Sequence, residues 1–304
     1  MAAWTLAERP CPGCGSFVDR GPEVRSLVRP ADLSPDELAT RWGPSERNDA
    51  FFDYVRCSEC ALLHNRIYLT PDELGQAYEQ MEDNTAGQPL DLLRRTQQRY
   101  LDVFQESGSL AGAYLELGPD IGLVASAAAE SGELTAIDFV EPNRAAHAHL
   151  RGVTDSCPVG VVASVEDLPA QRIYDHLVLI HVLDHLLEPR SVLRELRSRL
   201  HSGATALVVV HDEASVLRRL LGRRWPPFRL QHPQLFSPAT LTGLINESGF
   251  DVERTGRTTN SISLRHLVGA GLSLTGWDPK WLRSIPEVGL TLRLGNILAV
   301  ARAR

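Results

Sequence analysis

The chain has 304 residues, of which 43% are hydrophobic and 23% charged, and its net charge is −7. This is the composition of a soluble globular protein of roughly two domains, and it excludes collagen-like, disordered and disulfide-dense chains. No apolar run reaches the roughly 18–20 residues that cross a bilayer, and the acidic balance disfavours nucleic acid and anionic membranes as partners. The first ten residues lack a secretory signal, so we expect a cytoplasmic protein.

The first predicted element is a metal-binding module at residues 1–68. Four of the five cysteines form two C-x-x-C pairs, Cys11 with Cys14 and Cys57 with Cys60. Four thiolates at such spacing are the ligand set of a closed structural zinc site, in which the metal replaces a core that is too small. The alternatives are iron, which four sulfurs do not distinguish from zinc, or free thiols with one redox pair.

Helices are predicted on both sides of the second cysteine pair. Ser34–Glu37 and Thr70–Glu73 each combine a capping residue, a proline at the first helical position and a glutamate at the third. The second of these helices is expected to reach about Met81, and the apolar periodicity of Leu90–Glu106 predicts another. Residues 69–110 are therefore expected to form a helical connector.

From residue 113 onwards, short apolar runs alternate with helical stretches. The predicted strands are 113–117, 134–140, 159–163, 176–180, 206–210, about 251–257 and about 296–301. The predicted helices end near 131, span 142–150, run from about 186 to 200 and occupy 238–248. Regular β–α alternation with apolar strands predicts a parallel sheet with helices on both faces, in a domain over residues 111–304. An insertion is predicted at about 258–290, with a helical stretch over 261–275. It would either cover the ligand-binding cleft at the edge of the sheet or form a homodimer contact.

Polar and glycine residues follow the first two strands of this predicted sheet. Ligands of such sheets lie beyond the carboxyl ends of the strands. The turn after the first strand contains Glu116, Gly118, Asp120 and Gly122, and its glycines let the backbone approach a ligand. Glu141 ends the second strand, where an acidic residue accepts hydrogen bonds from ribose hydroxyls. The pattern predicts a nucleoside-containing ligand at this edge.

The segment around the fourth strand carries the most specific motifs. It starts at Tyr174-Asp175, continues through a loop with His181, Asp184 and His185, and ends that loop at Pro189. Further matching segments are Tyr54–Leu62, Arg199–Val210, Leu220–Trp225, His232, Phe236-Ser237 and Ser248–Phe250. Together they resemble class I S-adenosylmethionine-dependent methyltransferases. The resemblance extends to the subgroup with an N-terminal zinc-binding domain, which contains sugar and natural-product C- or O-methyltransferases.

The resemblance implies a Rossmann-like, mostly parallel, seven-stranded α/β sheet and S-adenosylmethionine as cofactor. By position, Glu116 and the glycines would border the methionine part, Glu141 would hold the ribose, and Ser164 and Val165 would edge the adenine. The residues expected at the cofactor are Glu116, Gly118, Asp120, Gly122, Glu141, Pro142, Ser164, Val165 and His181. Asp120 stands where family members usually have glycine, and its carboxylate would either pair with the ammonium group of the cofactor or obstruct binding.

The loop after the fourth strand is the expected catalytic segment. Methyl transfer from a sulfonium requires a positioned acceptor and often the removal of a proton, for which neutral imidazole is a suitable base. The Asp184–His185 pair resembles the acid–histidine pair of sugar C-methyltransferases, which implies His185 as the base with His181 beside it. Alternatively, His185 is a structural group of the loop. The expected acceptor-site residues are His211, Trp225 and His232.

These features predict a methyltransferase that acts on a small molecule such as a sugar nucleotide or a natural-product intermediate. One alternative is a zinc-containing rRNA or other nucleic-acid methyltransferase, which the acidic net charge disfavours. Another is a degenerate cofactor-binding protein with a partner-binding role, an interpretation that depends on Asp120. NAD binding is disfavoured, because the glycine turn lacks the full G-x-G-x-x-G pattern.

Overall fold

The N-terminal part of the computed structural model is a β-rich module with two short helices. The structure describes residues 4–42, 50–79, 89–273 and 288–304. The elements of the module are β1 (Leu6–Glu8), β2 (Asp19–Val24), α1 (Pro35–Trp42), β3 (Tyr54–Cys57), β4 (Leu63–Asn65), β5 (Ile67–Leu69) and α2 (Pro71–Glu79). Both predicted helices begin at the expected proline, and the predicted end of the second near Met81 lies outside the described residues.

The remainder of the chain alternates between strands and helices. Its elements are α3 (Leu90–Gln105), β6 (Gly112–Leu117), α4 (Leu123–Ala129), β7 (Leu134–Val140), α5 (His147–Leu150), β8 (Val159–Val162), β9 (Tyr174–Ile180), α6 (Pro189–Ser198), β10 (Leu200–His211), α7 (Val216–Leu221), β11 (Gln234–Leu235), α8 (Pro238–Glu247), β12 (Phe250–Ser263), α9 (Leu264–Ser273) and β13 (Gly289–Ala303). No helix in the described ranges combines the length and the apolar character that crossing a membrane requires.

Seven of these strands form the central sheet in the order β12-β13-β10-β9-β6-β7-β8. The five strands from β10 to β8 are parallel, whereas β13 runs antiparallel to both β10 and β12. The apolar central strands are covered by helices, and Leu115, Leu177 and Leu207 are fully buried. The predicted mostly parallel α/β sheet is confirmed. Its strand order reverses between β6 and β9, which places the switch point there.

Three elements differ from the sequence expectation. The helix expected over 142–150 is a 3-10 turn followed by the four-residue α5, because the Asn143 side chain caps the turn by accepting from the Ala145 N–H. Helix α6 begins only at Pro189, which is fixed for the first helical turn. Strand β12 extends to Ser263, so the predicted insertion begins as a strand. Its Thr- and Ser-rich second half lacks an apolar run and is held by the antiparallel ladder with β13.

The N-terminal module shares a sheet with the C-terminal part of the chain. Strand β11 pairs with β4, which completes the four-stranded sheet β11-β4-β3-β2. The Tyr54 hydroxyl donates to the His232 carbonyl at 2.6 Å, and the Tyr68 hydroxyl donates to the Leu230 carbonyl at 2.5 Å. The division at residues 68 and 110 remains a prediction from the sequence, and residues 230–235 connect the two parts across it.

Candidate functional site

The two cysteine pairs meet at one point of the N-terminal module. Cys11 Sγ lies 3.4 Å from Cys60 Sγ, Cys14 Sγ lies 3.4 Å from Cys57 Sγ, and all four sulfurs lie within 4.8 Å of one another. A tetrahedral zinc ion with Zn–S bonds of about 2.3 Å holds its sulfurs about 3.8 Å apart. The cluster therefore has the ligands and the spacing for one such ion.

The backbone around the sulfurs also suits thiolates. A Cβ at Gly13 would lie 3.2 Å from Cys60 Sγ and 3.1 Å from the Leu62 side chain, so glycine leaves the room that the cluster needs. The N–H groups of Cys14 and Gly13 donate to the Cys11 sulfur. The hydrogen bond with Cys11 lowers the pKa of Cys60 to about 5, whereas the same hydrogen bond together with burial raises the pKa of Cys11, and burial raises that of Cys14. These donors stabilise negative charge on sulfur, as a metal-binding thiolate requires.

The turn after β6 lies against the loop after β9. Gly118 has φ +58°, and a Cβ there would lie 2.9 Å from the Val182 side chain. Gly122 has φ +73°, and a Cβ there would lie 2.8 Å from Val153. Asp120 has φ +55°, a left-handed conformation that favours glycine and that aspartate tolerates better than most residues. The conformation explains how Asp120 occupies a position at which glycine is expected.

Two acidic residues border this turn. Glu116 is 2% exposed and accepts a hydrogen bond of 2.8 Å from the Tyr114 hydroxyl. Burial, with the nearby charge of Asp120, raises the pKa of Glu116 to about 8. Glu141 is half-buried and accepts from the Asn143 N–H at 2.8 Å, and burial raises its pKa as well. A buried carboxyl group with a raised pKa gains from a cationic ligand.

The other expected cofactor residues lie in the turns after β7 and β8. Pro142 is exposed directly after Glu141. Val165 is buried, and the hydroxyl of Ser164 donates to Asp167 at 2.9 Å. The structure therefore brings the predicted residues to the carboxyl edge of consecutive strands, and their contacts with a cofactor remain predictions.

Four imidazoles form a continuous row next to the switch point, which we call the histidine row (His181, His211, His232 and His185). Successive ring centroids in this order are 4.5, 5.0 and 4.6 Å apart. Asp184 is fully buried beside the row, and its Oδ2 lies 3.9 Å from His181 Nδ1 and 3.8 Å from His211 Nε2. His181 directly follows β9 with φ +54°, and His211 ends β10, so parallel strands bring these two rings together.

Burial keeps three imidazoles of the row, those of His185, His211 and His232, neutral. It lowers the pKa of His211 to about 3 and also lowers the pKa values of His185 and His232. Burial alone would raise the pKa of Asp184, but His181 and the other imidazoles hold it well below its usual value. The site near neutral pH is therefore a buried carboxylate among imidazoles that are able to accept protons or bind a metal.

The N-terminal module holds the loop that carries these groups. The Gln234 amide donates to the carbonyls of Leu183 and Leu186 at 2.5 and 2.7 Å. Arg9 Nη2 donates to Gln234 Oε1 at 3.1 Å and to the Leu187 carbonyl at 2.7 Å. Because Arg9 stands two residues before Cys11, the four-sulfur cluster and the loop after β9 are joined by a short chain of buried hydrogen bonds.

The structure brings together five of the six residues that the sequence proposed for catalysis and acceptor binding. The sixth, Trp225, is 1% exposed, packs against Phe228 and has its ring 6.4 Å from His211. His232 is 4% exposed and donates to the Pro227 carbonyl. Direct contact of Trp225 or His232 with an acceptor requires their neighbours to move, and both roles remain predictions.

Two polar contacts of the histidine row were not predicted from the sequence. The Tyr78 hydroxyl lies 2.8 Å from His185 Nδ1. Asn296 accepts from His211 Nδ1 at 3.1 Å, and its Nδ2 lies 3.2 Å from His181 Nε2. The sequence offered one signal for Asn296, which is a polar residue directly before the apolar run of the last strand. The residue is 5% exposed in the structure.

Comparison with known proteins identifies the family. A family model described as a methyltransferase domain matches residues 90–255. A chain of the complex between the Haloferax volcanii Trm112 methyltransferase activator and a proposed methyltransferase is 16% identical with a TM-score of 0.51, over 70% of this chain and 90% of that one. The N-methyltransferase NodS of Bradyrhizobium japonicum with S-adenosylhomocysteine is 13% identical with a TM-score of 0.48, over 75% of this chain and 96% of that one.

At such identities the likeness to solved structures concerns the fold, and comparison with curated proteins gave no match. The family model, however, spans more than half of the chain, and it contains the glycine turn, the loop after β9 and the histidine row. The chain therefore belongs to the methyltransferase-domain family and is a class I S-adenosylmethionine-dependent methyltransferase.

Proposed function

We propose that the enzyme methylates a hydroxyl oxygen or an acidic carbon of a small-molecule acceptor, with His185 as the general base. The observation that carries the proposal is the histidine row with Asp184, next to the turn between β6 and α4. Neutral imidazoles at the carboxyl edge of the sheet support this proposal, because an imidazole is a suitable base for the proton of an acceptor.

The residues around the switch point fit the cofactor. When bound, S-adenosylmethionine supplies an electrophilic methyl group on a positively charged sulfur. Glu116 would hold its ammonium group, because a cation compensates a carboxylate that burial otherwise keeps protonated. Glu141 would accept from the ribose hydroxyls, and Gly118 and Gly122 leave the two ends of the turn without a side chain. Ser164 and Val165 would edge the adenine.

His185 has the properties of a general base. Its imidazole is half-buried, and burial lowers its pKa, so it is neutral near pH 7. The Tyr78 hydroxyl lies 3.4 Å from the Gln231 carbonyl as well as 2.8 Å from His185 Nδ1. When the Tyr78 hydroxyl donates its hydrogen bond to the Gln231 carbonyl, its oxygen accepts a hydrogen bond from His185 Nδ1–H. The lone pair on His185 Nε2 is then available to take a proton from the acceptor.

The acceptor class follows from the resemblance to sugar and natural-product methyltransferases and from charge. A net charge of −7 opposes binding of a polyanion, so a sugar nucleotide or a natural-product intermediate is favoured over RNA. We also propose that the four cysteines hold a structural zinc ion, since all four ligands come from the protein and leave no open position.

The test supplies S-adenosylmethionine with a tritiated methyl group and, in separate reactions, nucleotide sugars, pooled hydroxylated small molecules, and total RNA. We expect label in a small-molecule fraction, at a rate that His185→Ala reduces. Label in RNA alone, with a steep decrease at higher salt, would contradict the proposed acceptor class and support the nucleic-acid alternative.

A further inference from the structure

Asp184 is a fully buried carboxylate, and one of its two oxygens lacks a partner in the part of the chain that the structure describes. Its side chain is 0% exposed, and its Oδ1 has no hydrogen-bond partner among the described residues. Its Oδ2 accepts from the His211 backbone N–H at 3.4 Å. Within the described ranges, its ion-pair neighbours are the imidazoles of His181 and His211, and no arginine or lysine is among them. A carboxylate in such surroundings is costly unless a cation or a full set of hydrogen bonds balances it.

The neighbouring nitrogen atoms have the spacing of a metal-ligand set. His181 Nδ1 is buried and also lacks a hydrogen-bond partner in the described part of the chain. Asp184 Oδ2 lies 3.9 Å from this atom and 3.8 Å from His211 Nε2, and the three atoms lie within 4.8 Å of one another. Ligand bonds of about 2.1 Å to one ion place ligand atoms roughly 3–4 Å apart.

We propose that His181, Asp184 and His211 bind a divalent transition-metal ion, at a site separate from the four cysteines. Two imidazoles with one carboxylate favour zinc, cobalt, nickel or iron over magnesium and calcium, which prefer sets of oxygen ligands. Three protein ligands leave coordination positions open, unlike the four-thiolate cluster. The side chains of His181 and His211 are 28% and 22% exposed, whereas that of Asp184 is 0% exposed, so Asp184 closes the buried side of the site.

Asn296 orients one of the ligands, His211. Its Oδ1 accepts from His211 Nδ1–H at 3.1 Å, which leaves the Nε2 lone pair of His211 free on the side of Asp184. Such a partner on the second ring nitrogen fixes the tautomer of a metal-bound histidine. Its Nδ2 lies 3.2 Å from His181 Nε2, and this contact must rearrange, because coordination through Nδ1 places a proton on Nε2.

The role of the ion, though not its binding, rests on the proposed function. An acceptor hydroxyl bound at an open position becomes more acidic. Its proton would pass to His185, and the electron pair left on oxygen would form the new bond to the methyl carbon. The carbon–sulfur bond of the sulfonium would break at the same time, and its electron pair would remain on sulfur. An ion with open positions also favours acceptors that have a second oxygen next to the hydroxyl, such as vicinal diols or hydroxycarbonyl compounds, because both oxygens are able to bind.

The experiment measures metal binding directly. The full chain, with one zinc per chain at the cysteines verified by mass spectrometry, is titrated with Co²⁺ by calorimetry and by visible absorption. We expect one further Co²⁺ per chain, with d–d bands but without the strong near-ultraviolet charge-transfer absorption of cobalt thiolates. Asp184→Asn and His211→Gln should each weaken this binding at least about tenfold, whereas His201→Ala, which changes an exposed histidine on β10, should not alter it.

Circular dichroism verifies that each variant is folded. If one of the two ligand variants does not fold, the other still tests the site. Failure of the unaltered chain to bind cobalt beyond the cysteine site, or unchanged binding in both ligand variants, would overturn the proposal. Titration with S-adenosylhomocysteine in the absence of added metal tests the cofactor site separately. A protein that binds S-adenosylhomocysteine but no second metal therefore refutes this inference and leaves the proposed function standing.

Discussion

The four-sulfur cluster and the histidine row are both compact groups of side chains that suit metals or protons, but they are assembled differently. The cluster consists of two local C-x-x-C pairs and is surrounded by its own backbone N–H donors. The row is assembled from the loop after β9, the end of β10 and the segment before β11, and two of its rings are partly exposed. The first arrangement suits a closed structural metal site, and the second leaves imidazoles partly accessible.

The largest expected effect is a loss of stability when one ligand of the four-sulfur cluster is replaced. Cys57→Ser replaces a fully buried thiolate with a weak ligand, so zinc should be lost from the module. We expect a loss of stability on the order of 5 kcal/mol, measured by denaturant unfolding together with the zinc content. The matched control is Cys157→Ser, which lies outside the cluster and should retain one zinc per chain.

The next largest effect is on turnover and concerns the histidine row. His185→Ala removes the proposed base and should lower turnover about 10²- to 10⁴-fold, while the affinity for S-adenosylhomocysteine stays within about twofold. Tyr78→Phe, which keeps the ring and removes the contact with Nδ1, should have a smaller effect on turnover. Unchanged turnover of His185→Ala with an identified acceptor would remove His185 as the base.

A third prediction concerns the pH dependence of the cofactor turn. The pKa of Glu116 is raised from its ordinary value of 4.5 to about 8 by burial. Between these values the folded protein binds more protons than the unfolded chain, so stability falls as the pH rises through this window. Ligand-free Glu116→Gln should therefore exceed the unaltered chain in stability by about 2–4 kcal/mol at pH 8.5. This advantage should disappear near pH 4.5, and thermal unfolding across the pH range measures it.

The smallest effect concerns the ribose. Glu141→Ala removes the proposed acceptor of hydrogen bonds from the ribose hydroxyls and should weaken S-adenosylhomocysteine binding about 10- to 100-fold. The control is Glu130→Ala, an exposed position at the end of α4. Equal dissociation constants for Glu141→Ala and the unaltered chain would exclude the ribose assignment.

The difference between the two clusters also explains how far the sequence could predict them. The cysteine pairs and the glycine turn are local patterns, and apolar runs such as Leu134–Val140 coincide with strands. The contact of His185 with Tyr78 and the bridging position of Asn296 depend on residues far apart in the chain, so no spacing indicates them. Strand β12 was predicted too short because the antiparallel ladder holds it, and this pairing leaves no apolar pattern in the sequence.

The most direct test of the account is calorimetric titration of the zinc-loaded chain with S-adenosylmethionine and with S-adenosylhomocysteine. We predict that both bind at one site per chain. If neither compound binds to protein that is folded and contains zinc, this result would contradict a working cofactor site. It would favour the alternative of a degenerate cofactor-binding protein with a partner-binding role, and Asp120→Gly would then test whether Asp120 obstructs the turn.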